Sequence, residues 1–82
     1  MAIISEKGYP DLFIPKTKKD SEGNLKCAGL FIELKKIGGK PSKEQLMMVQ
    51  YLNNEGYFAR IVEGAEDAIE LINNYINGEI IC

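Results

Sequence analysis

Apolar and polar positions alternate between two periods along the chain, and the switches between them mark its elements. Tyr9 to Ile14 reads as a strand, with Pro10 near its start, where a missing N–H does least harm. Pro15 through Lys26 is polar and contains "DSEGN", a turn cluster. Cys27 to Lys36 is apolar for most of its length and reads as a second strand. The two strands suit an antiparallel hairpin joined by a long basic loop. "IGGKPS" then breaks the chain.

Ser42 and Gln45 have the S-x-x-Q spacing of a capping box, so a helix is expected from Ser42 to about Glu55, stopped by Gly56. Its apolar residues include Leu46, Met47, Met48, Val49, Tyr51 and Leu52. That stripe is broader than one core contact needs, which suggests a second subunit against part of it. "YFARIV", Tyr57 to Val62, predicts a third strand. "GAEDAIELINNYING" predicts a second helix that ends at Gly78 and buries Ala68, Ile69, Ile72 and Ile76. Ile80 and Ile81 suit a short last strand. The order β-β-α-β-α implies an α/β domain with a small mixed sheet and flanking helices. The first helix is long enough a crossover for a parallel β-α-β unit.

The length of 82 residues suits one domain spanning residues 1–82. No apolar run approaches the ~20 residues of a membrane span, and no signal-peptide pattern opens the chain, so a cytoplasmic location is expected. Histidine is absent. That excludes His-based triads and the usual histidine zinc sites, leaving carboxylates, lysines and hydroxyls for any catalysis. Cys27 and Cys82 have no metal-ligand spacing, and two cysteines are not expected to form a disulfide framework.

The formal net charge is −2, unevenly spread. Nine lysines and six acids precede Leu46, whereas one arginine and six acids follow from there. Lys16, Lys18, Lys19 and Lys26 surround the loop, and Lys35, Lys36, Lys40 and Lys43 follow it. The asymmetry points to a polyanionic partner. The bland alternative is a solvated basic loop.

Side chains alternate faces along a strand, so Glu33 and Lys35 share a face of the second strand. In a paired hairpin, Asp11 on the first strand can approach Glu33. Two neighbouring carboxylates repel each other, and a divalent cation removes that conflict. Oxygen ligands of this kind suit Mg²⁺ or Mn²⁺. Lys35 beside the metal could orient a water or stabilise charge developing on a phosphate. An E-x-K triplet alone is commonly a solvent-facing pair, and Gln45 could serve only the capping box. The combination of P-D, a basic loop, E-x-K and the β-β-α-β order is what points to metal-assisted phosphodiester hydrolysis.

Gly8-Tyr9-Pro10-Asp11-Leu12, Phe31-Ile32-Glu33-Leu34-Lys35, and Gly39-Lys40-Pro41-Ser42 with Gln45 together resemble the VRR-NUC domain. This is a branch of the PD-(D/E)XK nuclease superfamily, and the resemblance runs from Gly8 to the last helix. It implies a restriction-endonuclease-like core and a metal site made by Asp11, Glu33 and the backbone carbonyl of Leu34. It implies Lys35 as the water-positioning or charge-stabilising group and Gln45 as the family glutamine. Stand-alone members, many of them phage-encoded, are similar to small homodimeric, junction-cleaving enzymes. The implied activity is an Mg²⁺- or Mn²⁺-dependent endonuclease for branched or junction DNA, in the cytoplasm of a bacterial host if phage-encoded. Lys16, Lys18, Lys19, Lys26, Lys36 and Lys40 would contact the DNA backbone.

Members usually begin with a helix that supplies a further acid to the site. Here only Met1 to Lys7 precede the Gly8 motif, "AIIS" is too short and β-branched to replace that helix, and Glu6 is the only early acid. A reduced form, a truncation or completion by another chain is therefore expected. The competing function is a catalytically silent nucleic-acid-binding or assembly module on the same fold. A small-molecule enzyme is disfavoured by the lack of a Gly-rich phosphate loop or cofactor motif.

Overall fold

A computed structural model describes residues 10–80 and 82. Tyr9, the Gly8 motif start, Ile3, Ile4 and Glu6 lie outside the described residues, as does Ile81. The elements are β1 (Leu12–Ile14), β2 (Lys18–Lys19), β3 (Leu25–Cys27), β4 (Leu30–Lys35), α1 (Lys43–Asn54), β5 (Phe58–Glu63) and α2 (Ala65–Ile76). Strands β1, β4 and β5 form the main sheet, with β4 in the centre. β1 pairs antiparallel to β4 and β5 pairs parallel to it, so the sheet is mixed. With its two helices it has the expected β-β-α-β-α order. No helix among the described residues is long and apolar enough to cross a membrane.

Alternation along β4 divides the core between the helices. Leu30 and Ile32 are fully buried with Cys27 and Tyr75, and Leu71 and Ile72 of α2 pack against them. Phe31 points the other way and joins Leu52 and Ala59, with Met48, Val49 and Tyr51 of α1 alongside. A sheet covered on both faces explains why β4 begins as an uninterrupted apolar run.

Both ends of α1 follow from its sequence. Ser42 Oγ accepts from the Gln45 N–H at 3.1 Å, and Gln45 Oε1 accepts from the Ser42 N–H at 2.8 Å. This is the reciprocal capping box expected from the S-x-x-Q spacing. Past the other end, Gly56 takes φ +96°, a conformation that costs glycine little.

Four expected elements change. The second strand does not run unbroken from Cys27 to Lys36. It divides at Ala28–Gly29 into β3 and β4, which belong to different sheets. A Cβ on Gly29 would lie 2.6 Å from the Phe13 ring, so a larger residue at the division would force that ring to shift. The basic loop is itself a small hairpin, β2 with β3. Its turn is the expected "DSEGN" cluster, where Asp20 Oδ1 accepts from the Glu22 and Asn24 N–H groups at 2.9 Å. On α2 the buried residues are Ala68 and Tyr75, with Ile72 half-buried, whereas Ile69 and Ile76 are exposed. The tyrosine, not the isoleucine beside it, occupies the inner position because its ring fills the space over Phe58. Ile80 lies in a bend, not a strand.

The cysteines also depart from expectation. Cys27 and Cys82 form a disulfide across 55 residues of chain. Folding carries the segment after α2 back to β3, a neighbourhood that the spacing of two cysteines does not reveal.

Candidate active site

The β1–β4 register pairs Leu12 with Ile32 and Phe13 with Phe31. One step further out, Asp11 falls opposite Glu33. Asp11 Oδ2 accepts the Leu34 N–H at 2.9 Å, which fixes the carboxylate at the edge of β4. Glu33 is buried, on the α1 face of the sheet with Phe31. α1 starts directly above it. From the first turn of α1, Gln45 Nε2 donates to Glu33 Oε2 at 3.0 Å. Gln45 therefore closes the capping box with its oxygen and holds the carboxylate with its nitrogen. Lys35, two residues on and largely buried, places Nζ 3.9 Å from the same Glu33 oxygen. That separation is too long for a hydrogen bond and leaves a Coulombic attraction.

Burial pushes the Glu33 carboxyl above the usual carboxylate range. The Asp11 carboxylate beside it pushes in the same direction, and Lys35 opposes both. The other oxygen, Glu33 Oε1, is buried with no hydrogen-bond partner. A buried acceptor left without a donor is costly. Here it lies beside a second carboxylate, with a lysine and a glutamine already committed to the first oxygen.

This donor set fits a hard divalent cation. Such a cation would satisfy the orphaned oxygen and remove the repulsion between Asp11 and Glu33. Mg²⁺ commonly takes only one or two carboxylates and keeps waters or substrate phosphates for its remaining positions. Among the described residues, no group of three or more His, Cys, Asp or Glu side chains could hold a metal.

No protein-family model matches the chain, and no curated protein matches it. A solved structure described as a "VRR_NUC domain protein" superposes with a TM-score of 0.77 at 31% sequence identity. The match covers 89% of this chain. The chain has a VRR-NUC-like fold. It spans 56% of the length of that structure. The fold is nuclease-type, and Asp11, Glu33, Lys35 and Gln45 come together at the end of β4. Leu34 lies between the two charged residues of β4, with its N–H on Asp11.

The basic residues do not form one group. Lys16, Lys19, Lys36 and Lys40 have exposed side chains. Lys36 and Lys40 belong to the turn between β4 and α1, where the Gly39 N–H donates to the Lys36 carbonyl at 2.8 Å. They follow Glu33 and Lys35 in sequence. Lys26 lies 3.8 Å from Asp20 within the hairpin. Lys18 has a different environment: its Nζ donates to the carbonyls of Tyr75, at 3.2 Å, and Ile80. It also sits 4.8 Å from the centre of the Tyr75 ring. α2 has no basic residue in its last turn, and Lys18 supplies the missing cation from another element. A local scan of charges has no signal for this, since the partners lie 57 and 62 residues away.

Proposed function

We propose that the chain is a metal-dependent nuclease that hydrolyses phosphodiester bonds in DNA at the Asp11–Glu33 site. The observation that supports this most strongly is the buried Glu33 oxygen without a donor, beside Asp11 and Lys35. Asp11 and Glu33 would hold Mg²⁺ or Mn²⁺, joined by the Leu34 carbonyl. The cation would polarise a phosphoryl oxygen and offset negative charge in the transition state. Lys35 would orient the attacking water or stabilise charge on the phosphate as it develops. Gln45 fixes the rotamer of Glu33, and the Leu34 N–H fixes that of Asp11, so both ligands are set before substrate arrives.

The substrate would be DNA, bound through its backbone by Lys16, Lys19, Lys36 and Lys40, with Lys18 and Lys26 supporting the hairpin from its two strands. Phosphate contacts position a duplex without reading its sequence, which suits recognition of branched or junction structures. A homodimer would present two sites to two strands of such a structure.

The test is cleavage of labelled branched and linear DNA with Mg²⁺ or Mn²⁺, run beside Asp11→Ala. Cleavage by the parent chain and none by the variant is expected. DNA binding without cleavage, unaffected by Asp11→Ala or by metal, would make the chain a silent binding module instead.

A further inference from the structure

The Cys27–Cys82 disulfide borders a cavity of about 260 Å³ at the far end of β5 from the carboxylates. Lys26, Arg60 and Tyr57 line the same cavity. A water's share of liquid volume is about 30 Å³, so the space admits a group of several heavy atoms. The two half-cystines differ. Cys27 is 3% exposed and belongs to the core with Leu30, Ile32 and Tyr75, whereas Cys82 is exposed. Of the two cations that line the cavity, Lys26 has its Nζ 3.8 Å from Asp20. The Arg60 guanidinium is fixed 4.0 Å above the Phe58 ring, and its Nη1 donates to the Ala59 carbonyl at 2.7 Å.

The same disulfide is one link between the β2–β3 region and the chain at and after the end of α2. The second is Lys18 Nζ on the Tyr75 and Ile80 carbonyls. The third is the Tyr75 hydroxyl, which donates to the Lys16 carbonyl at 2.7 Å. Lys18 and Cys27 are partners in the hairpin register, so the covalent and ionic links act on one point of the hairpin.

We propose that this disulfide is a thiol-exchange site for small anionic thiols, and that opening it loosens the basic hairpin. An entering thiolate attacks Sγ of Cys82, the exposed half-cystine. Its sulfur bonds to that of Cys82, the Cys27–Cys82 bond breaks, and its electron pair leaves on Cys27 as thiolate, which takes up a proton. A second thiolate attacks the mixed disulfide and frees Cys82. Two thiols are oxidised to their disulfide, and the protein disulfide is reduced to two thiols. Lys26 and Arg60 raise the local concentration of a thiol that carries carboxylates. Once open, the segment after α2 has no covalent tie to β3, and the Lys18–Ile80 contact loses its support. The hairpin carries Lys18, Lys19 and Lys26, with Lys16 just before it, so the exchange acts on the region proposed to meet DNA but does not require that reading.

The experiment uses the full chain, with glutathione as the anionic thiol and cysteamine as the cationic one. Mass-shift alkylation follows the cysteines, and hydrogen exchange follows the backbone. Without reductant, both cysteines should resist alkylation. At equal thiolate concentration and low salt, glutathione should open the bond about tenfold faster than cysteamine. Lys26→Gln should shrink that ratio. After opening, exchange of the Lys18–Cys27 amides should rise at least about fivefold more than that of the α1 amides. Free cysteines in the unreduced protein, equal rates for the two thiols, or hairpin exchange indifferent to redox state would each overturn the proposal. None of these readouts involves DNA cleavage, so an inactive nuclease site leaves the test intact.

Discussion

Gln45 Nε2 donates to Glu33 Oε2 at 3.0 Å while Gln45 Oε1 holds the Ser42 N–H at 2.8 Å. One amide thus ties the start of α1 to the buried carboxylate of β4, and helix capping and site geometry share a residue. The two roles separate by substitution. Ser42→Ala removes the cap alone and should cost about 1 kcal/mol of stability, with Glu33 still held. Gln45→Ala should cost at least as much and also lower kcat on DNA, because Glu33 loses its donor. Denaturant melts and cleavage rates of the two variants and the double variant measure the split. Equal effects on activity from both would mean that Gln45 acts only through the helix.

Glu33 should make the metal-free protein less stable as pH rises. Its folded-state pKa lies above the ordinary glutamate value, so the native state holds more protons than the unfolded chain across that interval. Stability then falls as pH climbs from about 4.3 through the raised value. Glu33→Gln keeps the shape and removes the charge. It should abolish cleavage and flatten this fall, gaining of the order of 1 kcal/mol at neutral pH. Mg²⁺ should stabilise the parent chain at neutral pH and leave Glu33→Gln unmoved. Thermal melts across pH, with and without Mg²⁺, decide both points.

The lysines should divide into two classes. Lys16→Gln and Lys19→Gln should each flatten the slope of log affinity against log salt by about 0.9 on duplex DNA, with little change in stability. Lys18→Met should instead destabilise the fold, because the Tyr75 and Ile80 carbonyls lose their donor. A loss of about 1–2 kcal/mol is expected for a charged donor to carbonyls at a helix end. Equilibrium unfolding, set beside salt-dependent binding, tests the division.

Local pattern and long-range placement contributed differently to what the sequence could tell. The capping box of α1, the turn at Asp20–Asn24 and the strand periodicity of β4 depend on near neighbours, and all three are legible in the chain. The approach of Asp11 to Glu33 followed from strand alternation once a hairpin was assumed. The ties of Lys18 to α2 and of Cys27 to Cys82 were not legible, since each joins segments more than 50 residues apart. Tyr75 shows the same limit: helical spacing gave the face of α2 but not which of two adjacent residues the sheet would accept. The division at Gly29 depends on the Phe13 ring lying over it, which no glycine announces by itself.

The disulfide should also carry much of the stability. The cysteines are 55 residues apart, and the chain-entropy relation assigns a loop of that length about 4 kcal/mol. Reduction should therefore lower the midpoint of denaturant unfolding substantially without changing the native secondary structure. Unfolding curves in oxidising and reducing buffer measure the difference, and Cys82→Ser should reproduce the reduced curve in both.

Assembly leads to the last prediction. α1 turns Met48, Val49, Tyr51 and Leu52 toward the sheet, yet leaves Leu46 and Met47 more than half exposed. On the same side of the sheet, Phe13 stacks on Phe31 with ring centroids 4.4 Å apart and still exposes 45% of its surface. Leaving apolar area in water is unfavourable by about 25 cal/mol per Å². Covering Leu46, Met47 and Phe13 with a second copy would remove that cost and set two carboxylate sites in a fixed relation. The expected state is a homodimer or higher oligomer that uses α1. Light scattering should show a mass above the monomer at micromolar concentration, and Met47→Glu should shift it toward the monomer while α1 stays folded by circular dichroism. A monomeric parent chain free of aggregation would show that these residues tolerate water, and that any pairing of sites on DNA must come from the DNA itself.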